Sequence, residues 1–455
     1  FIGINGIGMS GLAEILATKG HSVSGSDKSE SLDIKKFNQI GITAYNNHSK
    51  ENINSEMTVI YSSAIPDNNE ELQTAKKLGC KCIRRGEFLA ELSRDFKHRL
   101  AIAGTHGKTT TSSLTAHIFD TAKLSPSYFI GGHLVDQPHA QIRSDELFIT
   151  ELDESDGTFL DFKMADTIIT NIELDHIDYY KTKDKLIKKF QQYIEETIES
   201  NYKCIINLDD PISEKIYKKF SNHSNFLTYS IESDNANVIA KNIEYTWQGI
   251  SFELIINDQL LDRVSTGLFG KHNVYNSLAA ISMAITKDIS LKDIIAGLSS
   301  FKGVKRRLEL KYKLKNVLLY DDYAHHPSEI ITTLEGVYKS FSDYEITTIF
   351  QPHRYTRLTS LFDGFSGSFK RSNNTIILPV FSAGEDQEDN KTSNDLVNEL
   401  SKKGIKSQYC ESFEAAKETI TEIIREKSII ILMGAGNITK ISKDLIPVIK
   451  EKVHY

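Results

Sequence analysis

The chain has 455 residues, 40% hydrophobic and 25% charged, an ordinary globular composition that excludes a disordered tail, a collagen and a disulfide-stapled miniprotein. At about 150 residues per domain, this length accommodates about three domains. Lys plus Arg number 54 against 61 Asp plus Glu, a net charge of −7, the wrong sign for nonspecific grip on a polyanion, so no nucleic-acid partner is expected.

Cys80, Cys82, Cys204 and Cys410 are too scattered for a disulfide framework or a paired zinc site, which fits a reducing cytoplasm. No run approaches 18 consecutive apolar residues and no signal-type segment is visible, so neither a membrane span nor export is expected. Phe1 falls inside what reads as a strand, so a few residues upstream are expected to be missing.

Short β-rich apolar runs alternate with helical patterns from end to end, the habit of α/β domains built on mostly parallel sheets. No repeat of solenoid length recurs. In the first block, residues 1–5 read as a strand, 10–19 as a helix and 21–26 as a second strand. Between the first strand and the helix lies Gly6-Ile7-Gly8-Met9-Ser10-Gly11, with Asp27 at the end of the next strand. Glycines there let the backbone approach a diphosphate, and the helix N-terminus supplies donors and a favourable dipole. Taken alone the cluster suggests NAD, but a diphosphate on a uridine sugar makes the same demands. A tight turn without a ligand is the plain alternative.

The polar stretch 94–99 marks a boundary, and a strand at 100–103 then leads into Gly104-Thr105-His106-Gly107-Lys108-Thr109-Thr110-Thr111. Lys108 can reach β and γ phosphates, Thr109 can offer its hydroxyl to Mg²⁺, and the loop amides can cradle the anion. Ile102 stands where a standard phosphate loop has its first glycine, so this is a shortened form. Past the strand 148–151 come Glu151, Asp153, Glu154 and Asp156. Two carboxylates about 4 Å apart repel by about 4 kcal/mol at an effective dielectric of 20, so several beside ATP phosphates ask for a cation. Glu151 is the expected metal ligand or water positioner, whereas Asp153 and Glu154 read as an exposed acidic face. His176, just past the run 167–171, suits a second divalent ion near a phosphate.

Gly270-Lys271-His272-Asn273-Val274-Tyr275-Asn276 precedes an alanine-rich helix. It offers amides and an imidazole for adenine or ribose, with Asn273 as N-cap on the purely structural reading. A helical run over 281–299 ends at a basic hinge, 302–307, and a third block follows with strands near 317–320, 346–350, 375–379 and 429–433. Arg306 and Arg307 open that block, where a guanidinium can stabilise a transferring phosphoryl group as an arginine finger does. Asp322-Tyr323-Ala324-His325-His326-Pro327 and Gln351-Pro352-His353-Arg354-Tyr355-Thr356-Arg357 each follow a strand end. Arg354 and Arg357, three apart, are expected on one helix face, able to clamp a carboxylate.

Eight ordered motifs resemble those of the Mur ligase family: Phe-Ile-Gly-x-x-Gly-Ile-Gly-Met-Ser-Gly, Gly-Thr-His-Gly-Lys-Thr-Thr-Thr, Glu-x-Asp-Glu-Ser-Asp, Asp-His-Ile-Asp, Gly-Lys-His-Asn, Asp-Asp-Tyr-Ala-His-His-Pro, Gln-Pro-His-Arg-Tyr-Thr-Arg and Met-Gly-Ala-Gly-Asn-Ile. The resemblance spans almost the whole chain and points to the branch that adds L-alanine to UDP-N-acetylmuramate in peptidoglycan precursor synthesis. It implies an α/β fold of three domains: a Rossmann-like UDP-sugar-binding domain over 1–96, a central P-loop ATPase domain with a mostly parallel sheet over 97–303, and a Rossmann-like C-terminal domain over 304–455 that receives the amino acid. ATP and Mg²⁺, with Mn²⁺ as an alternative ion, are the implied cofactors. A monomer or homodimer is expected.

By that resemblance Gly104, Thr105, His106, Gly107, Lys108, Thr109, Thr110, His272, Asn276, Arg307 and Asp322 would serve ATP, and Thr109, Glu151 and His176 the metal ions. Tyr323, His325, Arg354 and Arg357 would surround the incoming alanine. Gly6, Gly8, Met9, Ser10, Gly11, Asp27, His48 and Ser62 would serve the UDP-sugar. Lys108, Arg307 and His325 are the expected catalytic residues. Asn5 and Asn437 depart from the usual glycine and aspartate of the family. Lys185, Lys188 and Lys189 follow His176, but the alanine-adding branch resembles enzymes without the carbamylated lysine of its sisters, so none is assigned that role.

The expected reaction makes an acyl phosphate from the lactyl carboxylate and ATP, which the amine of alanine then attacks. Acid and amine come from different domains, so closure of the third domain is expected. A redox enzyme using the first glycine cluster is the competing class, and it leaves the phosphate loop, the acidic cluster and His176 idle. A nucleotide-dependent switch without synthesis is a third reading. The tripeptide-recycling ligase shares Gly-Thr-His-Gly-Lys-Thr, but Gly-Ile-Gly-Met-Ser-Gly points to the alanine branch.

Overall fold

A computed structural model of the chain describes residues 1–29, 32–154, 157–173, 180, 182–387 and 390–453. Two units divide it: Phe1–Asn242 with Phe252–Val264 and Val274–Phe301, and Ile243–Ser251 with Ser265–Asn273 and Lys302–Tyr455.

In the first unit the strands Val23–Ser26 and Ile42–Tyr45 pair in parallel, as do Thr58–Tyr61 and Lys81–Arg84. Ile2 bridges Ser26 on one side and Tyr61 on the other. The strand expected at 1–5 is therefore reduced to Ile2, because Gly3 turns the chain at φ +86°, a conformation that ends an extended run. The following helix is Ile7–Thr18, three residues earlier than its apolar pattern predicts. Leu12, Ala13 and Ile15 bury its inner face. A cavity of about 650 Å³ opens between Val23–Ser26 and Thr58–Tyr61, with Val23, Ser24, Thr58, Val59 and Phe88 in its walls. None of the residues expected to bind substrate lines it.

The central sheet has ten strands in the order Gln259–Thr266, Gly249–Ile256, Val238–Thr246, Phe226–Ser230, Cys204–Asn207, Asp166–Ile169, His98–Ala103, Leu147–Glu151, Ser127–Phe129 and Ala140–Gln141. Pairing is parallel from Val238–Thr246 through Ser127–Phe129 and antiparallel at Ala140–Gln141. His98–Ala103 lies between two partners and its last four residues are buried, which is why they read as a short continuous apolar run. In register, Ile102 faces Glu151 and Ala103 faces Ile169. Three loops thus leave neighbouring strands at the carboxyl edge, the usual place for ligands in such sheets.

The helix Lys108–Thr121 follows the middle strand. Leu291–Ser300 packs on it so closely that a Cβ on Gly297 would lie 2.9 Å from Ile118 Cα. The helical run expected at 281–299 is two helices, Lys271–Ile285 and Leu291–Ser300. Asp288 breaks it at φ +55°, and Ser290 starts the second by accepting from the Asp293 N–H.

The second unit carries six strands in the order Glu309–Leu314, Val317–Asp322, Ser428–Met433, Glu345–Phe350, Asn374–Ile377 and Ser407–Tyr409, parallel except at the first pair. Leu318, Tyr320, Ile346, Phe350, Ile429 and Ile431 join one core, and Val317, Leu319, Ile349, Ile430 and Leu432 the other. Both faces are covered, and each large aliphatic residue so buried contributes roughly 1.5–3 kcal/mol. Asp322 and Phe350 both pair with Met433, so the loops after these three strands emerge together. Among the described residues no helix is long and apolar enough to cross a membrane.

Candidate active site

The first glycine cluster is a turn fastened from below. The Asn5 N–H donates to Asp27 Oδ2 at 3.0 Å, and the Ser29 N–H donates to Asp27 Oδ1 at 2.9 Å. The Asn5 bond is made by backbone, so the departure from glycine leaves it available. Gly6 is the N-cap and offers no side-chain cap, which leaves first-turn N–H groups for solvent or an anion. Gly11 has a packing reason: a Cβ there would lie 2.9 Å from His139 Nε2 and from Phe129 Cε2.

Met9 and Ser10 are buried, and the Ser10 hydroxyl donates to Ile7 O at 3.2 Å. His48 sits in the interior, its Nδ1 2.9 Å from both Ser26 Oγ and Glu71 Oε2, and Asn52 donates to the other Glu71 oxygen at 2.7 Å. Ser62 lies beside Gly3 and accepts from the Ala64 N–H at 3.3 Å.

The second glycine cluster leaves the central strand through Gly104 at φ +130° and enters the helix through Gly107 at φ +82°. Neither position suits an L side chain, and a Cβ at Gly107 would lie 2.5 Å from Asn276 Oδ1. Asn171 pins the loop. Its backbone carbonyl accepts from Thr105 N–H at 3.0 Å, and its Oδ1 accepts from His106 N–H at 2.9 Å. Those two amides are spent, so the donors left for an anion are those of the helix's first turn. His106 Nε2 stands 3.1 Å from Glu173 Oε2, which turns the imidazole toward a carboxylate. Thr111 donates to Asn276 Oδ1 at 3.2 Å, tying the phosphate-loop helix to the helix that carries Asn276.

Lys108 Nζ donates to Gly104 O at 2.6 Å, Thr105 O at 3.2 Å and Glu154 Oε2 at 2.7 Å. Burial pulls its pKa down, but the carboxylates of Glu154, Glu151 and Asp153 outweigh that and hold it above the ordinary lysine value. The ammonium stays charged. The exposed acidic face expected for Asp153 and Glu154 is found only at Asp153, whose side chain is 40% exposed. Glu154 is 3% exposed and paired with Lys108, while Asp153 accepts from Arg85 at 2.8 Å. A buried carboxylate needs a cation beside it, and Lys108 supplies it to Glu154. The motif Glu-x-Asp-Glu-Ser-Asp was the signal for Glu154, and single-residue exposure was the wrong test of it.

Glu151 ends its strand against Gly131, where a Cβ would lie 1.9 Å from Glu151 Oε1. Its Oε2 is buried with no hydrogen-bond partner among the described residues. An orphaned carboxylate oxygen beside a phosphate loop fits a divalent cation, and Thr109 lies in the first turn of the adjacent helix. His176 and Asp156 lie outside the described residues. Among the described residues no group of three or more His, Cys, Asp and Glu side chains is assembled to hold a metal.

The helix Lys271–Ile285 begins two residues before Asn273. Asn273 is therefore not the N-cap: its Nδ2 donates to Phe269 O at 2.8 Å and lies 3.0 Å from His272 Nε2. Burial first, and then the charge of Arg307, draws His272 down to about 4. Asp322 receives the Leu308 N–H at 2.7 Å and the Ala324 N–H at 2.8 Å, one on each oxygen, and so shapes the turn that carries Arg306 and Arg307. Burial raises its carboxyl to about 6 against the pull of Arg307.

The two arginines part company. Arg306 donates to Gly434 O and lies 3.6 Å from the buried Asp321. Arg307 is more open, over the Tyr323 ring at 5.6 Å and 3.9 Å from Glu329. Tyr323 has guanidiniums from both residues against it, Arg306 at 4.9 Å, which ties this ring to the arginine turn as well as to His325, 5.3 Å away.

His325 Nδ1 lies 3.0 Å from Tyr323 O. A carbonyl only accepts, so that nitrogen bears the proton and Nε2 presents a lone pair. Burial lowers its pKa, which favours the neutral ring. Arg354 and Arg357 do not share a helix face: the helix is Tyr355–Ser360, and Arg354 is its N-cap at φ +69°, a strained conformation for a non-glycine residue. Arg357 Nη1 donates to His353 Nδ1 at 3.0 Å, and His353 lies flat on Phe381 with centroids 5.6 Å apart. Asn437 accepts from Gln351 Nε2 at 3.0 Å, a role an aspartate would also fill.

Three family models match the chain in succession: the Mur ligase family catalytic domain over residues 1–97, the Mur ligase middle domain over 102–284, and the Mur ligase glutamate ligase domain over 306–436. Among curated proteins, the UDP-N-acetylmuramate--L-alanine ligase of Clostridium acetobutylicum is 38% identical over 97% of this chain and 96% of its own length. The enzyme of the same name from Aquifex aeolicus is 38% identical over 97% and 95%. Among solved structures, the UDP-N-acetylmuramate-alanine ligase of Thermotoga maritima covers 99% of both chains with a TM-score of 0.84 at 24% identity. A murein peptide ligase from Psychrobacter arcticus covers 98% and 97% with a TM-score of 0.68 at 23% identity. The chain belongs to the Mur ligase family.

Proposed function

We propose that this chain joins L-alanine to the lactyl carboxylate of UDP-N-acetylmuramate, consuming ATP and releasing ADP and phosphate, as a cytoplasmic step of peptidoglycan precursor synthesis. The observation that carries the reading is the near-full-length likeness, at 38% identity, to ligases named for those two substrates. Three modules divide the labour: residues 1–96 take the UDP-sugar, 97–303 take ATP, and 304–455 take the amino acid.

A carboxylate is a poor acyl donor because its charge repels nucleophiles and oxide is a hopeless leaving group. The lactyl carboxylate oxygen attacks the γ-phosphorus, the bond to the β-phosphate oxygen breaks, and an acyl phosphate and ADP result. Lys108 and Arg307 stabilise the charge on the transferring group. Thr109, Glu151 and His176 would hold Mg²⁺ or Mn²⁺, which supplies further neutralisation of phosphate charge. Asn276 and His272 belong to the nucleotide's surroundings.

The amine of alanine, delivered neutral, then attacks the acyl carbon, and the bond to phosphate breaks. His325 Nε2 accepts the amine proton, while Arg354 and Arg357 receive the alanine carboxylate. Phosphate release from UDP-N-acetylmuramate with L-alanine, glycine, L-serine or a tripeptide in turn tests the reading. L-Alanine should give the highest kcat/KM; a preference for the tripeptide would move the chain to the recycling branch.

A further inference from the structure

The glycine loop of the UDP-sugar module has a charge problem that the rest of the first unit answers. Residues 1–11 contain no Lys, Arg or His, and Asp27 already takes one loop amide. Backbone donors and a helix dipole amount to about half a positive charge, too little for a diphosphate. Arg85, the first residue of the helix Arg85–Ser93, lies across the loop. A Cβ on Gly8 would be 3.2 Å from Arg85 Cδ, 3.4 Å from Nη1 and 3.6 Å from Nε. A side chain at position 8 would press on the arginine.

The guanidinium is oriented as well as near. Its Nη2 donates to Asp153 Oδ2 at 2.8 Å, while Nη1 lies on the side of the group nearer Gly8. Nη1 is thereby left beside the loop as a charged donor for a phosphate oxygen. The helix itself is seated by Gly86, where a Cβ would lie 2.0 Å from Thr158 Oγ1. Arg85 is 15% exposed, so it is held rather than free to swing.

We infer that Arg85 is the cationic ligand of the substrate's diphosphate and that Asp153, next in sequence to the partner of Lys108, is its positioning residue. This rests on the reading of the glycine loop as the UDP-sugar site, and it links the sugar-nucleotide cradle to the acidic segment beside the phosphate loop. The geometry gives Arg85→Met a KM for UDP-N-acetylmuramate about 30-fold higher, from the loss of a charged hydrogen bond, with the KM for ATP within about twofold. Arg85→Lys keeps the charge but loses the planar group that Asp153 orients, and should lie between. Asp153→Asn should raise the same KM about fivefold, and the double variant should be no worse than Arg85→Met, because Asp153 acts through Arg85.

Calorimetric titration of the full chain with UDP separates the two levels of the claim. Wild-type protein that fails to bind UDP overturns the site reading. Wild-type binding that Arg85→Met and Arg85→Lys both retain within twofold overturns the Arg85 assignment alone. A rise in the ATP KM equal to that for the UDP-sugar also overturns it.

Discussion

Lys108 Nζ lies 2.7 Å from Glu154 Oε2, with the lysine side chain 17% exposed and the glutamate 4%. The ammonium that a triphosphate needs is thus already held by a buried carboxylate. ATP phosphates must compete with Glu154 for it, and the two groups depend on each other for burial. Removing the lysine alone strands a carboxylate in the interior, which costs about 3–5 kcal/mol in comparable pairs.

Lys108→Met should therefore lower stability by about 3 kcal/mol as well as abolish turnover. Adding Glu154→Gln removes the stranded charge. The double variant should recover most of the unfolding midpoint in urea while remaining inactive, which separates the structural duty of the pair from the chemical duty of Lys108. Recovery of activity along with stability would show that the lysine only holds the fold.

Glu151 and Gly131 share a space that admits no Cβ: the ideal position lies 1.9 Å from Glu151 Oε1. Gly131→Ala should displace the carboxylate whose Oε2 is buried without a partner among the described residues. Because shifting a ligand's support typically costs 10–100-fold in metal affinity, the Mg²⁺ concentration for half-maximal activity should rise at least about tenfold. Titrating Mg²⁺ at saturating substrates checks this, with Glu151→Gln as the reference for complete loss.

The depressed pKa of His272, about 4, makes stability pH-dependent. The unfolded chain protonates this ring near its ordinary value of 6.5 and the folded chain does not, so between about 6.5 and 4 the unfolded state binds more protons and stability falls as pH falls. Going from pH 7 to pH 5 should cost roughly 2 kcal/mol through this group. His272→Gln should show an acid loss smaller by that amount in urea unfolding at the two pH values. An equal loss in both proteins would contradict the assignment.

Asn437 accepts from Gln351 Nε2, so Asn437→Asp should be tolerated, changing stability by about 1 kcal/mol or less. Gly436→Ala, by contrast, would put a Cβ 2.5 Å from Gln351 Oε1 and 2.8 Å from Phe381 Cγ, and should lower the thermal midpoint and activity together.

Much of this could be read from local pattern. The central strand before Gly104, the helix after Lys108 and the strand ends at Phe350 and Met433 follow from buried apolar runs broken by glycine or polar residues, whereas the strand expected to end at Tyr320 runs on to Asp322 because Asp321 and Asp322 still pair with Leu432 and Met433. What local pattern could not give was partnership over long separations. Glu154 reads as an exposed acid until Lys108, 46 residues earlier, is brought to it. Asn171 carries no local signal of its bonds to Thr105 and His106. Arg354 looks helical by spacing, yet the chain turns through φ +69° there to reach Phe381 O, a tertiary demand that overrides the i, i+3 pattern. Helix starts erred at Ile7 and Lys271 for one reason: glycine-led turns admit the first helical residues before any apolar periodicity begins.

The most direct measurement is paired quantitation of phosphate and of the new amide, with each substrate omitted in turn. The account predicts one phosphate per UDP-N-acetylmuramoyl-L-alanine formed, dependence on all three substrates, and none of either product from the Lys108→Met/Glu154→Gln protein. Phosphate released at the same rate without UDP-N-acetylmuramate, or without any amide formed, would contradict it.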